Sequence, residues 1–299
     1  MKYLFLFVTF FSSSVCFGQV VSIETDSKKN YVIKYVDDES DSLFSGIWVP
    51  GDLVKVFISS SVEYSETDKF KYSYRIVNNQ ESQVDLYEVN ISTPNEPLKI
   101  FSNRGWFSRF VKWQGLVKWS HRSGPPYGIE PGSEDQFNFS SSDLPSIGVI
   151  QTANLKGTSF PKEKFEFPNS VETVLDSLNK EHGYVNTISI IPLDPSIWLG
   201  SNNNFNYGMI ANALESYLKR SCEELSWITK KGICNSLEVK LKNVQKHLEN
   251  EKPKQAVNVL KAFLNEVNAQ KDKALSSEAY ALLYFNGEYL LQKLNEEGK

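Results

Sequence analysis

Histidine and cysteine are scarce, and most metal and nucleophile chemistry is scarce with them. The 299 residues hold three His and three Cys. His121, His182 and His247 stand far apart, and none sits in a ligand motif. No G-x-S-x-G, P-loop or H-E-x-x-H sequence occurs. His247, among Lys246, Glu249 and Asn250, reads as a solvated residue on the polar side of a helix. His182 precedes Gly183, where an imidazole suits a helix end. A triad of His121 with Ser140 or Ser141 and Asp143 can be drawn, but only spatial proximity would make it one. The sequence therefore nominates no catalytic residue, no cofactor and no metal. The acidic run Asp37-Asp38-Glu39-Ser40-Asp41 lacks the Gly and the spaced oxygens of a calcium loop and reads as a solvated turn.

Long apolar runs are missing as well. The stretch from Tyr3 to Phe11 is far shorter than the ~20 residues a membrane span needs, and no later segment is long enough. With Met1-Lys2 before it and small residues from Ser12 to Gly18 after it, this stretch has the layout of a cleavable leader. Cleavage after Gly18 leaves Gln19 as the mature start and implies a secreted or periplasmic protein. The rival is a lipoprotein acylated at Cys16, against which Val15 and Ser13 stand where a lipobox wants a small residue and Leu. Net charge is only -4, which with export disfavours nucleic acid. With Cys16 removed, Cys222 and Cys234 remain. An even pair in an exported chain reads as a disulfide. The two lie equidistant from Ile228, so antiparallel neighbours would bring them together; two buried free thiols are the alternative.

What the chain does have is periodicity, of two kinds. From Thr229, apolar residues fall at Ile233, Leu237, Leu241, Val244 and Leu248 among polar ones, the roughly 3.6-residue period of an amphipathic helix. Pro253 suits the first turn of a second helix, with Val257, Leu260, Phe263, Leu264 and Val267 as its stripe. Ser276 is a natural N-cap for a third, with Glu278 in its first turn and Leu282, Leu283, Tyr289, Leu290 and Leu294 inward. Met209, Ile210, Leu214, Tyr217 and Leu218 suggest a lead-in helix. Such short helices hold only by packing together.

Specific runs add an identity to that bundle: Trp227-Ile228, Gly232-Ile233-Cys234-Asn235-Ser236-Leu237, Lys240-Leu241, Ala262-Phe263-Leu264-Asn265-Glu266-Val267 and Ser277-Glu278-Ala279-Tyr280-Ala281-Leu282-Leu283. In their order and spacing they resemble the helical module called FIMAH, found near the C-termini of secreted bacterial proteins. Cys234 departs from it, standing where a small residue such as Ala is usual. The resemblance implies an exported protein and a helical fold at 227–294; it carries no catalytic residue.

Between Val20 and Pro192 the period changes to about 2 residues. Phe70, Tyr72, Tyr74 and Ile76 alternate with polar residues. Further strands are expected at Tyr31 to Val36, Val54 to Ile58, Val111 to Trp119, Gln136 to Ser140, Ile147 to Leu155 and Tyr184 to Ile191, with a bulge at Tyr87-Glu88. Ser170 to Lys180 reads as a short helix. Many short strands between turn clusters favour packed antiparallel sheets. Scattered positions (Tyr72-Ser73-Tyr74 to Asn78, Gly105-Trp106, Pro131-Gly132-Ser133, Ser141 to Pro145) resemble the sandwich region of secreted proteins that end in the same module. The expected fold is α+β multidomain: leader 1–18, antiparallel β-sandwich 19–192, linker 193–206, small helical bundle 207–299.

One stretch lacks acid altogether. From Lys99 to Tyr127 there is no Asp or Glu, while Arg104, Arg109, Lys112, Lys118 and Arg122 interleave with Trp106, Phe107, Phe110, Trp113, Trp119 and Tyr127. Aromatic faces stack on sugar rings and cations hold sulfate, carboxylate or phosphate, so Arg104, Trp106, Phe107, Arg109, Lys112 and Trp113 are the candidate binding residues. The structural alternative is that Val111, Trp113, Val117 and Trp119 are core and the cations line a wet face. Exposed rings on at least two of Trp106, Phe107, Trp113 and Trp119, with Arg104, Arg109 or Lys112 within about 6 Å of them, would favour binding. The expected function is an exported, non-catalytic binding or interaction protein, for an anionic glycan, cell-envelope material or another exported protein. A secreted polysaccharide hydrolase or lyase is the alternative, and two convergent carboxylates in a pocket would favour it.

Overall fold

Three strands open the described chain: β1 (Val20–Thr25), β2 (Tyr31–Val36) and β3 (Leu43–Val49). Eight follow: β4 (Val56–Ser65), β5 (Lys69–Asn78), β6 (Glu88–Ser92), β7 (Lys99–Phe101), β8 (Trp106–Val111), β9 (Leu116–His121), β10 (Glu134–Ser141) and β11 (Leu144–Ala153). Then come β12 (Gly157–Ser159), helix α1 (Asn169–His182) and β13 (Val185–Leu193). Helices α2 (Tyr207–Glu223), α3 (Lys231–Glu249), α4 (Pro253–Gln270) and α5 (Ser277–Glu297) close the chain. This computed structural model describes residues 20–36, 41–101, 104–121, 128–154, 157–159, 168–200 and 204–297. The leader, its cleavage point and Asp37 to Ser40 lie outside the described residues, as do Arg122 and Tyr127.

Among the described residues the strands pair antiparallel, in three sheets ordered β1-β2-β3-β12, β4-β5-β10-β7 and β13-β11-β6-β9-β8. The α+β class expected from the sequence is the one observed. The chain divides into two compact units, one of 1–50 with 156–183 and the other of 51–155 with 184–299. In the first, α1 lays Leu178 and Val174 on Ile33 and Trp48 of the four-stranded sheet. The expected division at 193–206 followed the change in periodicity. Packing divides the chain differently: the first strands, expected in the sandwich, form a sheet of their own with α1. The stretch around the expected linker carries a short 3-10 turn, Pro195–Trp198, with Trp198 buried.

The second unit holds the sandwich. Alternation puts Tyr72, Tyr74, Phe137 and Phe139 on the inner face of one sheet and Val89, Ile91, Val117, Trp119 and Ile150 on the inner face of the other, all buried. Rings meet across the gap, with Trp119 5.5 Å from Phe137 and 6.1 Å from Phe139. The strand expected from Val111 to Trp119 is two strands. Lys112 to Gln114 form a 3-10 turn, and Gly115 takes the left-handed conformation (φ 59°) that reverses the chain into β9. No bulge marks Tyr87-Glu88, because β6 begins at Glu88 and Leu86 instead bridges to Ile129.

The bundle packs in the same unit. Helix α2 lies against α3 and α5, and α4 lies between α3 and α5. Their stripes merge into one core through Leu214, Leu237, Leu241, Leu260, Phe263 and Leu283. The start signals act as read: Pro253 opens α4, and the Ser276 hydroxyl accepts from the Ala279 N–H. Cys222, in the last turn of α2, is bonded to Cys234 in the first turn of α3, with Cα atoms 6.2 Å apart. Closing a loop of this size constrains the unfolded chain by about 3 kcal/mol. Reduction should therefore lower the melting temperature of the second unit by roughly 6–12 °C without abolishing its helicity, because the apolar stripes are untouched. Melting curves by circular dichroism with and without reductant that superimpose would remove this claim.

Candidate binding surface

The acid-free stretch spans an excursion from one sheet to the other. Lys99 and Phe101 belong to β7 on the four-stranded sandwich sheet; Trp106 to His121 form the β8–β9 hairpin at the edge of the five-stranded one. Ile100 pairs with the inward Phe139, so Lys99 and Phe101 face away from the core. There the Lys99 ammonium lies 4.6 Å from the Phe101 ring centroid, joined at 5.7 Å by Lys71 from β5. Lys71 was invisible in the sequence cluster because register alone brings it alongside Lys99, through Ser140. A run that is continuous in sequence is thus split between the outer faces of two sheets.

Alternation sorts the hairpin residues in the same way. Trp106, opposite His121, faces inward and is buried, with its indole N–H donating to Asp135 at 2.9 Å and its ring 4.8 Å from Phe137. This corrects its candidacy: a ring enclosed by Phe137 and His121 offers no face to a sugar. Trp119, fully buried, donates to the Phe101 carbonyl at 3.1 Å. Phe107 and Arg109 take the outer side and are exposed, Phe107 by 56%. Arg104 is exposed just before β8, and Lys112 is exposed in the turn. Trp113, at the tip of the hairpin, is 83% exposed. Two of the four rings therefore stand in solvent, Phe107 and Trp113.

Not every cation there is available. Lys118 lies across from Arg109 but is held by Glu88 at 2.6 Å. Burial by itself would raise the Glu88 carboxyl; hydrogen bonds from Lys118, Asn90 and Tyr184 outweigh it and hold the group below the usual range. Burial, with the Glu88 charge beside it, pushes the Tyr184 phenol up. This network commits Lys118, which leaves Arg109 and Lys112 as the cations nearest in sequence to the exposed rings.

The imagined triad does not assemble. His121 packs against Trp106 and Tyr87, and Gly105 (φ 87°) lets its imidazole come so close that a Cβ there would lie 2.7 Å from Nε2. That places His121 by Asp135, at the start of β10. Ser141 ends the same strand, about 20 Å away along an extended chain. Ser141 and Asp143 bond each other, with Asn95 and the Tyr72 hydroxyl completing a buried loop anchor. The His182 ring lies tilted 5.4 Å from that of Tyr31, and His247 lies near the C-terminus of α3.

A second polar cluster went unread in the sequence. Glu278, in the first turn of α5, is buried, and its Oε1 accepts from the Ser60 N–H at 2.7 Å. The Ser189 hydroxyl donates to that of Ser60, and Ser277 donates to the Ser60 carbonyl. An acid in a first turn looks like an ordinary dipole complement, so nothing local foretold a partner 218 residues away.

With four packed helices, a disulfide across the first turn of the bundle and α5 seated on β4, the C-terminal architecture is complete. Residues 212–292 match the FIMAH domain. The FIMAH domain thus takes in the later turns of α2, all of α3 and α4 and most of α5, and so includes both cysteines. It begins earlier than the expected 227–294, within α2, whose Leu214 and Leu218 belong to the core of the later helices. No curated protein matches the chain. Among the described residues no helix is long and apolar enough to cross a membrane.

Proposed function

We propose that this is an exported binding protein in which the β8–β9 hairpin engages an anionic glycan of the cell envelope or its surroundings. The observation that carries this reading is Trp113, held 83% exposed at the hairpin tip between exposed Lys112 and Gln114. An indole stacks on the apolar face of a sugar ring, while Lys112 and Arg109 complement sulfate or carboxylate groups. Export is supported by the leader-like layout of residues 1–18 and by the disulfide, which oxidising compartments favour.

The test is chromatography of the mature protein on sulfated and carboxylated polysaccharide matrices. The wild type should be retained at low salt and released as salt screens the cations. Arg109→Ala with Lys112→Ala and Trp113→Ala should abolish retention while shifting stability by less than about 0.5 kcal/mol per site, since all three side chains are exposed. A wild type that passes through every such matrix at low salt ends this reading.

A further inference from the structure

We propose that the open end of the helical bundle is a second binding site, a cleft for an uncharged oligosaccharide. It is independent of the hairpin. Where the start of α2, the end of α3, the start of α4 and the end of α5 meet, they surround a cleft of about 1230 Å³. That exceeds the roughly 300–1,000 Å³ of a typical small-molecule pocket and suits a chain of several units. Amides are the commonest polar side chains of its wall. Six amide side chains line it: Asn204, Asn206, Asn212, Gln245, Asn258 and Asn295. The apolar lining comes from Phe205, Tyr207, Leu248, Val257 and Leu294.

Amides select their ligand by what they can do. Each presents a donor and an acceptor side by side, at every pH, as does each hydroxyl of a sugar. Three of them, Asn206, Asn212 and Gln245, are fixed in place by the fold. The Asn206 Oδ1 caps α2 by accepting from the Met209 N–H at 3.1 Å. The Gln245 amino group donates to Asn212 at 3.0 Å and to Glu215 at 3.1 Å, bonds that do not use its carbonyl oxygen. Phe205 and Tyr207 meet edge to face, 5.0 Å apart, and both border the cleft, which gives it the apolar surface that pyranose C–H faces prefer. The charged lining residues are Glu249, Glu251 and Lys254. Two carboxylates against one ammonium disfavour an anionic ligand, so this site and the basic hairpin select opposite chemistry.

The experiment is affinity electrophoresis of the full mature chain through soluble neutral glucan, xylan, mannan and galactan, in salt high enough to screen the hairpin. Asn258 and Asn295 are exposed, so N258A/N295A should fold normally, which circular dichroism checks. At least one polymer should retard the wild type, N258A/N295A should weaken its affinity at least tenfold, and K112A/W113A should leave it unchanged. Asn258→Trp, which fills the mouth from an exposed helix position, should act like the double variant. No retardation by any of the four polymers overturns the proposal, as does retardation that survives both cleft substitutions or is lost only with the hairpin variant. Capture on an extended-peptide array that N258A/N295A abolishes, without retardation by the polymers, would assign the cleft to protein chains and equally overturn it.

Discussion

Replacing Trp119 by Ala will destabilise the sandwich by about 3–5 kcal/mol, the range for truncating a large buried aromatic. The side chain is fully buried, touches Phe137 and Phe139 of the facing sheet, and donates to the Phe101 carbonyl. Truncation leaves a cavity at the centre of two sheets and an unsatisfied carbonyl on β7. Trp106→Ala should fall in the same range, for the same reason: its ring is enclosed and its N–H is committed to Asp135. Trp113→Ala, six residues from Trp119 in sequence, should change stability by less than about 0.5 kcal/mol. Urea unfolding curves of the three variants provide the check. A Trp119 variant within about 1 kcal/mol of wild type, well below the range for a buried aromatic, would mean that the two sheets do not share this core.

Glu278→Ala is the second large effect. If Glu278 served only the dipole of α5, its loss would cost about 0.3–1 kcal/mol. Instead its carboxylate accepts from the buried Ser60 N–H, a charge-assisted bond whose removal strands a backbone donor, so the expected cost is about 2–4 kcal/mol. Glu278→Gln keeps an acceptor at the same reach and should recover more than half of that. Hydrogen exchange at the Ser60 amide gives a local readout: protection should fall sharply in the Ala variant and partly return in the Gln variant. Unchanged protection with Ala would show that Ser60 is held by something other than this carboxylate.

These two residues also show where the sequence was legible. Helices α3, α4 and α5 could be placed from apolar stripes, Pro253 and Ser276, because helical periodicity and capping are local properties. Strand β2 matched its expected bounds for the same reason. What local pattern does not encode is partnership. Alternation along β7 and β8 says which residues share a face but not that the two strands lie in different sheets, so Lys99 and Arg109 read as one patch. Trp106 and Trp113 looked equivalent because both sit among cations; their difference rests on β10, which supplies Asp135 and Phe137. Gly115 was a signal that could have been used, since a lone Gly within an apparent strand often marks a break. Glu278 gave no comparable sign, for its partner lies on the far side of the chain.

The interleaved partition of the chain has a consequence for its synthesis. The first unit is built from residues 1–50 and 156–183, so β1 to β3 precede β12 and α1 by about a hundred residues. At roughly 5–20 residues per second, that interval lasts on the order of 5–20 s. Throughout it Ile33 and Trp48 have neither Val174 nor Leu178 to cover them. The second unit waits in turn, because β11 must stand without its neighbour β13 until the intruding segment has emerged. Neither unit can finish before the other has begun. The nascent chain therefore needs shelter early, while its three leading strands are made and their cover is not.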